Sequence, residues 1–546
     1  MRGAVRLLAL AVLAAGPPVV AEEAVDLGVV TRIRDEGFRR SHVMETAAYL
    51  TDRIGPRLTG SPAMKEANEW TRRRLEEWGL AAAHLEPYEF GRGWTFSRCA
   101  LHLLRPQATP LAALPKAWTP GTDGRLRGTA LRVDVKTEKD LEKYKGKLAG
   151  KLLLLDEAKT IKPPDDPIFD RLTNDELTEL RSFEIPEARA GDFRRRGAER
   201  WKLARARDAF FLAEGALATV EGSSRDSGLL TVQGSNTGRD ADDKPLPGVI
   251  LAAEQYNRLL RLIEADQEVE LELEVEARFL DTDRRAFNTI AELPGSDRRG
   301  EVVMVGAHLD SWHTGTGATD NAAGCAVVME AVRILKALDL KLRRTVRIAL
   351  WSGEEQGLLG SRAYVRDHFG SRPLSTDPEQ QKLPVTLREE GWPIEVKPEH
   401  AKLAAYFNID NGTGKVRGIY AEENSAVVPI FGSWLAPFAD LGADTVTLRR
   451  TGGTDHQSFD RVGLPGFQFI QDELDYQSRT HHTHMDVYDH LRREDLIQAS
   501  VVLASVLYDA ATRAEPLPRK PLPQKPPPGA ESERRRTPEE PADAGR

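Results

Sequence analysis

A histidine and two acids occur together just after a run of apolar residues. His308, Asp310 and Asp320 follow residues 302–305, whose apolar character predicts a buried strand. Open α/β sheets build their sites at the carboxyl ends of strands, so we expect these side chains to share one edge of a sheet. A histidine ligand commonly donates its second ring N–H to a carboxylate, and Asp310 is placed to accept it from His308. Asp320 also suits the simpler role of a helix N-cap.

Three further acids stand at the ends of predicted strands. Glu354 and Glu355 follow the apolar run 346–351, and Asp410 closes the run 404–409. Adjacent carboxylates at a buried strand end repel each other unless a cation neutralises them. One glutamate can therefore ligate a metal while the other holds a proton for a reacting water. Exposed glutamates and a turn aspartate are the alternative interpretations.

Three histidines lie within four positions towards the C-terminal end of the chain, at His481, His482 and His484. Neutral imidazole is the usual nitrogen ligand of zinc, so we expect one of them to bind a metal. Together with the acids, this gives mixed nitrogen and oxygen ligation around one shared carboxylate. Such a set is typical of a two-metal site, with zinc as the default ion and cobalt or manganese as alternatives.

The rest of the chain predicts the elements that position these residues. Strands alternate with helices from residue 288 onward, which predicts an α/β fold with a doubly wound, mostly parallel sheet. We assign residues 22–114 and 281–512 to this discontinuous main domain, and residues 115–280 to an inserted α/β domain. Within the insert, residues 162–207 are rich in proline, aspartate and arginine and are interpreted as a surface insertion.

The two ends of the chain differ in composition from its middle. Residues 1–21 combine two arginines, a short apolar run and small residues, which is typical of a secretory signal peptide and predicts a secreted or periplasmic protein. No later segment is expected to span a membrane. Residues 513–546 are rich in proline and charge, and we predict that they are disordered.

The charge of the chain bears on which class of partner it can bind. The net charge of -8, without a basic stripe, argues against binding of nucleic acid.

Cys99 and Cys325 are the only two cysteines, and we interpret them as separate thiols because two cysteines so far apart form no disulfide framework. Arg57, in the turn-rich loop 54–62, is a candidate to bind a carboxylate or to form a surface salt bridge.

The order of these motifs resembles the co-catalytic di-zinc peptidases of metallopeptidase family twenty-eight. The resemblance covers roughly residues 40–510, including the loop 55–61, and it implies that the insert is a protease-associated domain. The residues that carry the resemblance are His308-Leu309-Asp310-Ser311, Asp320-Asn321, Glu354-Glu355-Gln356-Gly357, Asp410, and His482-Thr483 with Asp486.

The resemblance also implies a role for each position. Asp320 would bridge two zinc ions, His308 and Asp410 would complete one site, and Glu355 and His482 the other. Glu354 would be the general base that deprotonates the bridging water and the acid that protonates the leaving amine. The spacing from His482 to Asp486 selects His482 as the last ligand, and its neighbour His481 stays open as the alternative.

A glycine-rich loop over residues 452–459 also resembles the family's loop near the substrate. Asp455 and His456 in this loop are candidates for binding a substrate terminus or the tetrahedral intermediate. A plain turn is the alternative interpretation.

The resemblance implies an exported metallo-exopeptidase that hydrolyses a terminal peptide bond of a peptide or dipeptide, and it leaves open whether the amino or the carboxyl end is attacked. The expected partners are that substrate and a second copy of the chain in a homodimer. Two alternatives share the fold. One is a non-catalytic, receptor-like binding ectodomain, as in transferrin receptors, and the other is a single-zinc glutaminyl cyclase.

Overall fold

The structure is a computed structural model. The predicted signal peptide and the last part of the predicted disordered tail lie outside the residues that it describes, which are 23–162, 165, 167–183, 192–235 and 237–525.

The strands, numbered in chain order, are β1 (Ala81–Glu89), β2 (Gly93–Arg105), β3 (Thr109–Leu111), β4 (Ala113–Pro115), β5 (Leu126–Arg132), β6 (Lys151–Leu154), β7 (Ala218–Gly222), β8 (Gly248–Leu251), β9 (Glu270–Leu280), β10 (Arg285–Leu293), β11 (Arg298–His308), β12 (Arg344–Trp351), β13 (Gly370–Ser371), β14 (Glu395–Val396), β15 (Leu403–Asn408), β16 (Val416–Tyr420), β17 (Thr445–Thr447) and β18 (Gly466–Gln471). The helices are α1 (Leu27–Arg40), α2 (Val43–Ala48), α3 (Pro62–Glu77), α4 (Asn174–Arg181), α5 (Asp192–Ala213), α6 (Ala253–Glu264), α7 (Ala323–Ala337), α8 (Leu359–His368), α9 (Pro378–Gln381), α10 (Val428–Leu435), α11 (His456–Asp460) and α12 (Arg493–Thr512).

The main sheet has eight strands in the order β1-β10-β12-β11-β15-β18-β16-β17. Its centre, β12-β11-β15-β18, is parallel, whereas β1, β10 and β12 pair antiparallel, as do β16 and β18. The sheet is therefore mixed, and the predicted parallel arrangement describes its centre better than its edges. Parallel neighbours need a crossover connection, which α7 and α8 provide at the centre, whereas β10 enters the sheet directly from the second unit.

Helices cover both faces of this sheet, as a doubly wound fold requires. Val303 and Val305 of β11 lie in a core cluster that includes residues of α1, α7 and α12. Met304, on the opposite face of the same strand, packs with Tyr364 of α8 and Phe459 of α11. The alternation of buried side chains on β11 thus fixes the strand between two layers of helices.

A second sheet has the order β3-β2-β9-β5-β6-β7-β8-β4, and we call the part of the chain that forms it, residues 93–280, the second unit. Its first strands lie before residue 115, so the predicted boundary is too late. The reason is that β2 pairs along its length with β9, which no local pattern reveals. Residues 192–207, part of the predicted surface insertion, belong to helix α5, in which Ala204 and Phe211 are buried.

Both cysteines are free thiols, as predicted. Cys99 in β2 is half-buried and Cys325 in α7 is buried. The Cys325 thiol donates to the backbone carbonyl of His308 at 3.0 Å, so it supports the end of β11.

Helix α12 is long and apolar enough to cross a membrane, by length and composition alone, although no later segment was expected to do so. Of its most apolar window, 89% is buried inside the protein, where the helix lies in the core cluster with α7 and α1. Its apolar character is therefore that of a central core helix.

Residues 513–525 pack on the main domain, and the prediction of disorder is wrong for this part of the tail. Leu517 is 4% exposed, and the Arg519 guanidinium donates to the carbonyl of His400 at 2.9 Å. Lys520 pairs with Asp460 at 2.5 Å. The charged side chains that suggested disorder instead find partners on the surface of the domain.

Arg57 joins two loops at the carboxyl end of the sheet. Its side chain is fully buried, so neither predicted role is correct. The guanidinium donates at distances of 2.7 to 3.2 Å to five backbone carbonyls, those of Leu50, Gly55, Leu309, Thr316 and Gly317. Because residues 309–317 connect His308 to Asp320, Arg57 fixes the path between those two side chains.

We predict that Arg57→Lys destabilises the protein. A lysine has three N–H donors for the five carbonyls that the guanidinium serves, so at least two carbonyls lose their partner, at a cost of about 1–3 kcal/mol for each that is buried. The free energy of unfolding, from chemical denaturation followed by circular dichroism, measures the effect. Arg53→Lys is the matched control because Arg53 is an exposed residue close by in the chain. Equal stability of the two variants would contradict this role of Arg57.

Candidate metal centre

The predicted site residues come together at the carboxyl ends of three neighbouring strands. His308 ends β11, Glu354 and Glu355 follow β12, and Asp410 follows β15. Asp320 lies in the segment Ala318–Ala322, directly before α7, and its own backbone is extended rather than helical, with φ -129° and ψ 86°. The order β12-β11-β15 in the sheet therefore brings together residues that are far apart in the chain.

The first group of ligands surrounds the ring of His308, which is 1% exposed. Its Nε2 lies 3.1 Å from Asp320 Oδ1 and 3.2 Å from Asp410 Oδ1. The Oε2 atom of Glu354 lies 4.0 Å from the same nitrogen. His308, Asp320 and Asp410 thus present one nitrogen and two oxygens to a common point.

The second group lies on the other side of Asp320. Its Oδ2 is 3.3 Å from His482 Nε2, and that nitrogen is 3.0 Å from Glu355 Oε2. Asp320 therefore directs one carboxylate oxygen to each group, which is the arrangement of a ligand shared by two ions.

The donor atoms of this centre suit metal ions. Asp320 Oδ2 and Glu355 Oε1 are buried and form no hydrogen bond, although buried polar atoms nearly always have a partner. Imidazole nitrogen combined with carboxylate oxygen is a typical zinc donor set. Both groups therefore fit zinc on the chemistry of their donors.

The geometry favours His482 over His481 as the last ligand. The Nε2 of His481 is 3.9 Å from Asp320 Oδ2, farther than that of His482, and its ring packs against that of His482 at a tilt of 40°, with centroids 3.8 Å apart. The Nε2 of His482 also lies 3.0 Å from Glu355 Oε2. His481 thus lies beside the centre rather than between its carboxylates.

Burial and mutual repulsion shape the protonation of the centre. Burial raises the pKa of Glu354 well above its ordinary value, opposed by His308 and reinforced by Asp410. Burial likewise raises the pKa of Glu355, and Asp320 adds to the effect. Burial acts to lower the pKa of His308, but the carboxylates of Asp410 and Glu354 outweigh it and the pKa lies well above its ordinary value. Such an excess of buried negative charge calls for cations.

Asp310 supports the site differently from the prediction. The Nδ1 of His308 lies 3.0 Å from the backbone carbonyl of Asp310 and 3.7 Å from its carboxylate. The carboxylate instead accepts from the backbone N–H groups of Glu354 at 3.2 Å and Glu355 at 3.3 Å, and from the hydroxyl of Thr59 at 3.0 Å. Asp310 therefore orients His308 through its backbone and the two glutamates through its side chain.

Two supporting residues had no assigned role in the sequence analysis. The Thr59 hydroxyl, besides donating to Asp310, accepts from the N–H of Gly353 at 2.9 Å. The Asp486 carboxylate accepts from the N–H of Thr319 at 2.7 Å and of Asp320 at 3.1 Å. Thr59 and Asp486 both lie in segments that carry the family resemblance, which was the only sign of their importance in the sequence. The sequence does not show which groups they contact.

Asp455 and His456 lie behind the centre. Both side chains are fully buried, and burial raises the pKa of Asp455 to about 7. His456 Nε2 is 3.3 Å from the Thr451 carbonyl and 3.5 Å from Glu422. The contact of these residues with a substrate stays a prediction.

Comparisons with known proteins agree with this geometry. Residues 288–507 match peptidase family M28. The chain is 27% identical to carboxypeptidase Q of Bos taurus over 505 residues, which cover 92% of this chain and 90% of that protein.

Solved structures share the fold. A peptidase M28 precursor from Shewanella amazonensis SB2B has a TM-score of 0.63 and 23% identity, covering 91% of this chain and 99% of that one. A zinc aminopeptidase from Bacillus subtilis has a TM-score of 0.55 and 20% identity, covering 87% and 96%.

The matched segment begins in β10 and ends in α12, so it contains all five proposed metal ligands and Glu354. The comparisons confirm the expectation of an enzyme. The chain carries a peptidase family M28 domain over residues 288–507.

Proposed function

We propose that the chain is a di-zinc exopeptidase that hydrolyses a terminal bond of a peptide or dipeptide. The observation that carries the proposal is the position of Asp320, whose two carboxylate oxygens face the separate groups of His308 with Asp410 and of His482 with Glu355. One buried carboxylate between two donor groups is what a pair of ions needs.

In this proposal His308 and Asp410 hold one ion, Glu355 and His482 hold the other, and Asp320 is shared. Two zinc ions, when bound, would polarise the scissile carbonyl and lower the pKa of the attacking water. His308, Asp320 and Asp410 are buried, and His482 is half-buried. The burial of the first three limits the access of bulk water, which strengthens electrostatic interactions in the site.

Glu354 is the proposed general base. Its carboxylate lies beside His308 without taking one of the close ligand positions, so it is free to accept a proton from the attacking water. The same carboxyl group then returns the proton to the leaving amine. Asp310, held by Thr59, fixes the backbone N–H groups of Glu354 and Glu355 and so keeps the base and the ligand apart.

A small pocket adjoins the centre, and its walls include Trp312, Asp320, Glu355 and His482. The ring of Trp312 meets that of His482 edge-on, with centroids 6.3 Å apart. The similarity to carboxypeptidase Q supports a substrate with a free end.

We also propose that the protein is exported to the periplasm or the exterior, on the support of the sequence of residues 1–21. A homodimer stays a prediction, as does the identification of the second unit as a protease-associated domain.

Replacing Glu354 by glutamine should remove most of the turnover and leave the fold and bound zinc unchanged. Glutamine has the same shape but accepts no proton, and general acid–base catalysis contributes about 10²–10⁴-fold. The rate constant kcat for a short peptide and the zinc content of the purified variant are the two measurements. A variant with wild-type kcat would rule out this role for Glu354.

Alanine substitutions should separate the two neighbouring histidines. His482→Ala should lose one zinc ion per chain and nearly all activity, because it removes the nitrogen donor next to Glu355 and Asp320. His481→Ala is the matched control and should keep both ions, since His481 is farther from Asp320. Zinc counts by atomic absorption would test this, and the reverse result would move the ligand to His481.

Zinc removal and blocked substrates should test the reaction itself. Chelated protein should hydrolyse nothing, and added zinc should restore hydrolysis of a dipeptide or of a peptide with a free end. Peptides blocked at the amino end and peptides amidated at the carboxyl end show which terminus is needed. Equal cleavage of a doubly blocked peptide would contradict an exopeptidase.

A further inference from the structure

The second unit contacts the proposed metal-binding loop directly. Residues 230–233, in the connection between β7 and β8, run antiparallel to residues 482–484. The N–H of Val232 donates to the carbonyl of His482 at 3.3 Å, and the N–H of His484 donates to the carbonyl of Leu230 at 3.1 Å. The segment that carries the last proposed ligand is therefore paired with the second unit through its backbone.

The side chain of Gln233 continues this contact to the ring of His482. Its amide nitrogen lies 2.9 Å from His482 Nδ1, whereas the other ring nitrogen, Nε2, faces Glu355 and Asp320. The two nitrogens of His482 thus face different units of the protein. Gln233 itself is exposed, so this amide is not held there by the packing of a core.

The backbone of His482 adds a second observation. Its φ angle is +59°, in the left-handed region that residues with a side chain seldom adopt. Such a conformation persists where the surrounding contacts determine it. Residues 230–233 supply part of these contacts and residues 479–480 supply others through Thr483, so the direction of the His482 ring depends in part on the second unit.

We infer that Gln233 is a positioning residue that holds the ring of His482 with Nε2 turned towards Asp320 and Glu355. The inference rests on the proposed function, because that function makes His482 a zinc ligand. Ligation through Nε2 requires the ring proton to be on Nδ1. The amide oxygen of Gln233 then accepts a hydrogen bond from Nδ1–H. A half-turn of the amide brings this oxygen to the position of the nitrogen.

This role gives the second unit a part in the metal centre. Partners of this kind fix the tautomer and the orientation of a ligand histidine, and their loss typically lowers metal affinity about 10–100-fold. The partner is more often a carboxylate or a backbone carbonyl. An amide accepts the same hydrogen bond but adds no further negative charge to a centre that already contains several buried carboxylates.

The test compares the zinc affinity of Gln233→Ala, Gln233→Glu and the wild type, by competition with a chelator, together with the zinc bound per chain. Gln233→Ala should weaken one of the two sites about 10–100-fold. Gln233→Glu should equal or exceed the wild type, because a carboxylate accepts from Nδ1–H more strongly than an amide. Gln267→Ala is the control, since Gln267 is an exposed glutamine of the second unit that bonds to the carbonyl of Ala265. It should leave the affinity unchanged.

The outcomes separate this inference from the proposed function. Two zinc ions in the wild type with unchanged affinity in Gln233→Ala would overturn the positioning role and leave the exopeptidase proposal intact. Equal loss of affinity in Gln233→Ala and Gln233→Glu would also overturn it, because the residue would then act through its shape and not as an acceptor. A wild-type chain that binds no zinc would overturn both. Circular dichroism of each variant shows that the fold is retained.

Discussion

The concentration of buried negative charge at the carboxyl ends of β11, β12 and β15 is the constraint on which the site depends. Five acids with buried or half-buried side chains lie there, namely Asp310, Asp320, Glu354, Glu355 and Asp410. Burial and the neighbouring carboxylates raise the pKa of Glu354 and of Glu355 well above their ordinary values unless cations neutralise the site. The need for positive charge is thus a property of the fold itself, and the two donor groups that share Asp320 show where that charge would lie.

Hydrogen bonds to backbone peptide groups, rather than ion pairs, hold the residues around this centre. The Arg57 guanidinium donates to five backbone carbonyls, and the carboxylates of Asp310 and Asp486 accept from backbone N–H groups. An ion pair between Arg57 and a neighbouring acid would remove a charge from the site. Bonds to the backbone instead fix the loops and leave the carboxylates free for ions.

Much of the site could be predicted because its residues follow apolar runs whose periodicity reveals strands. His308, Glu354, Glu355 and Asp410 all stand at such ends, and parallel neighbours must bring them to one edge. Pairings between distant segments could not be predicted in this way. Thr59 meets Asp310 across 251 positions and Gln233 meets His482 across 249, and β2 pairs with β9 before the expected boundary of the second unit. The burial of Asp455 and the packing of residues 513–525 are likewise tertiary effects that local composition does not record.

The pairing of residues 230–233 with residues 482–484 has a consequence for biosynthesis. His482 is one of the last residues of the domain to be synthesised. Its loop pairs with the second unit, which ends some 200 positions earlier in the chain. A nascent chain therefore contains His308, Asp320 and Asp410 before it contains a second donor group. Both donor groups are therefore complete only after the last part of the domain has been synthesised and its loop has paired with the second unit.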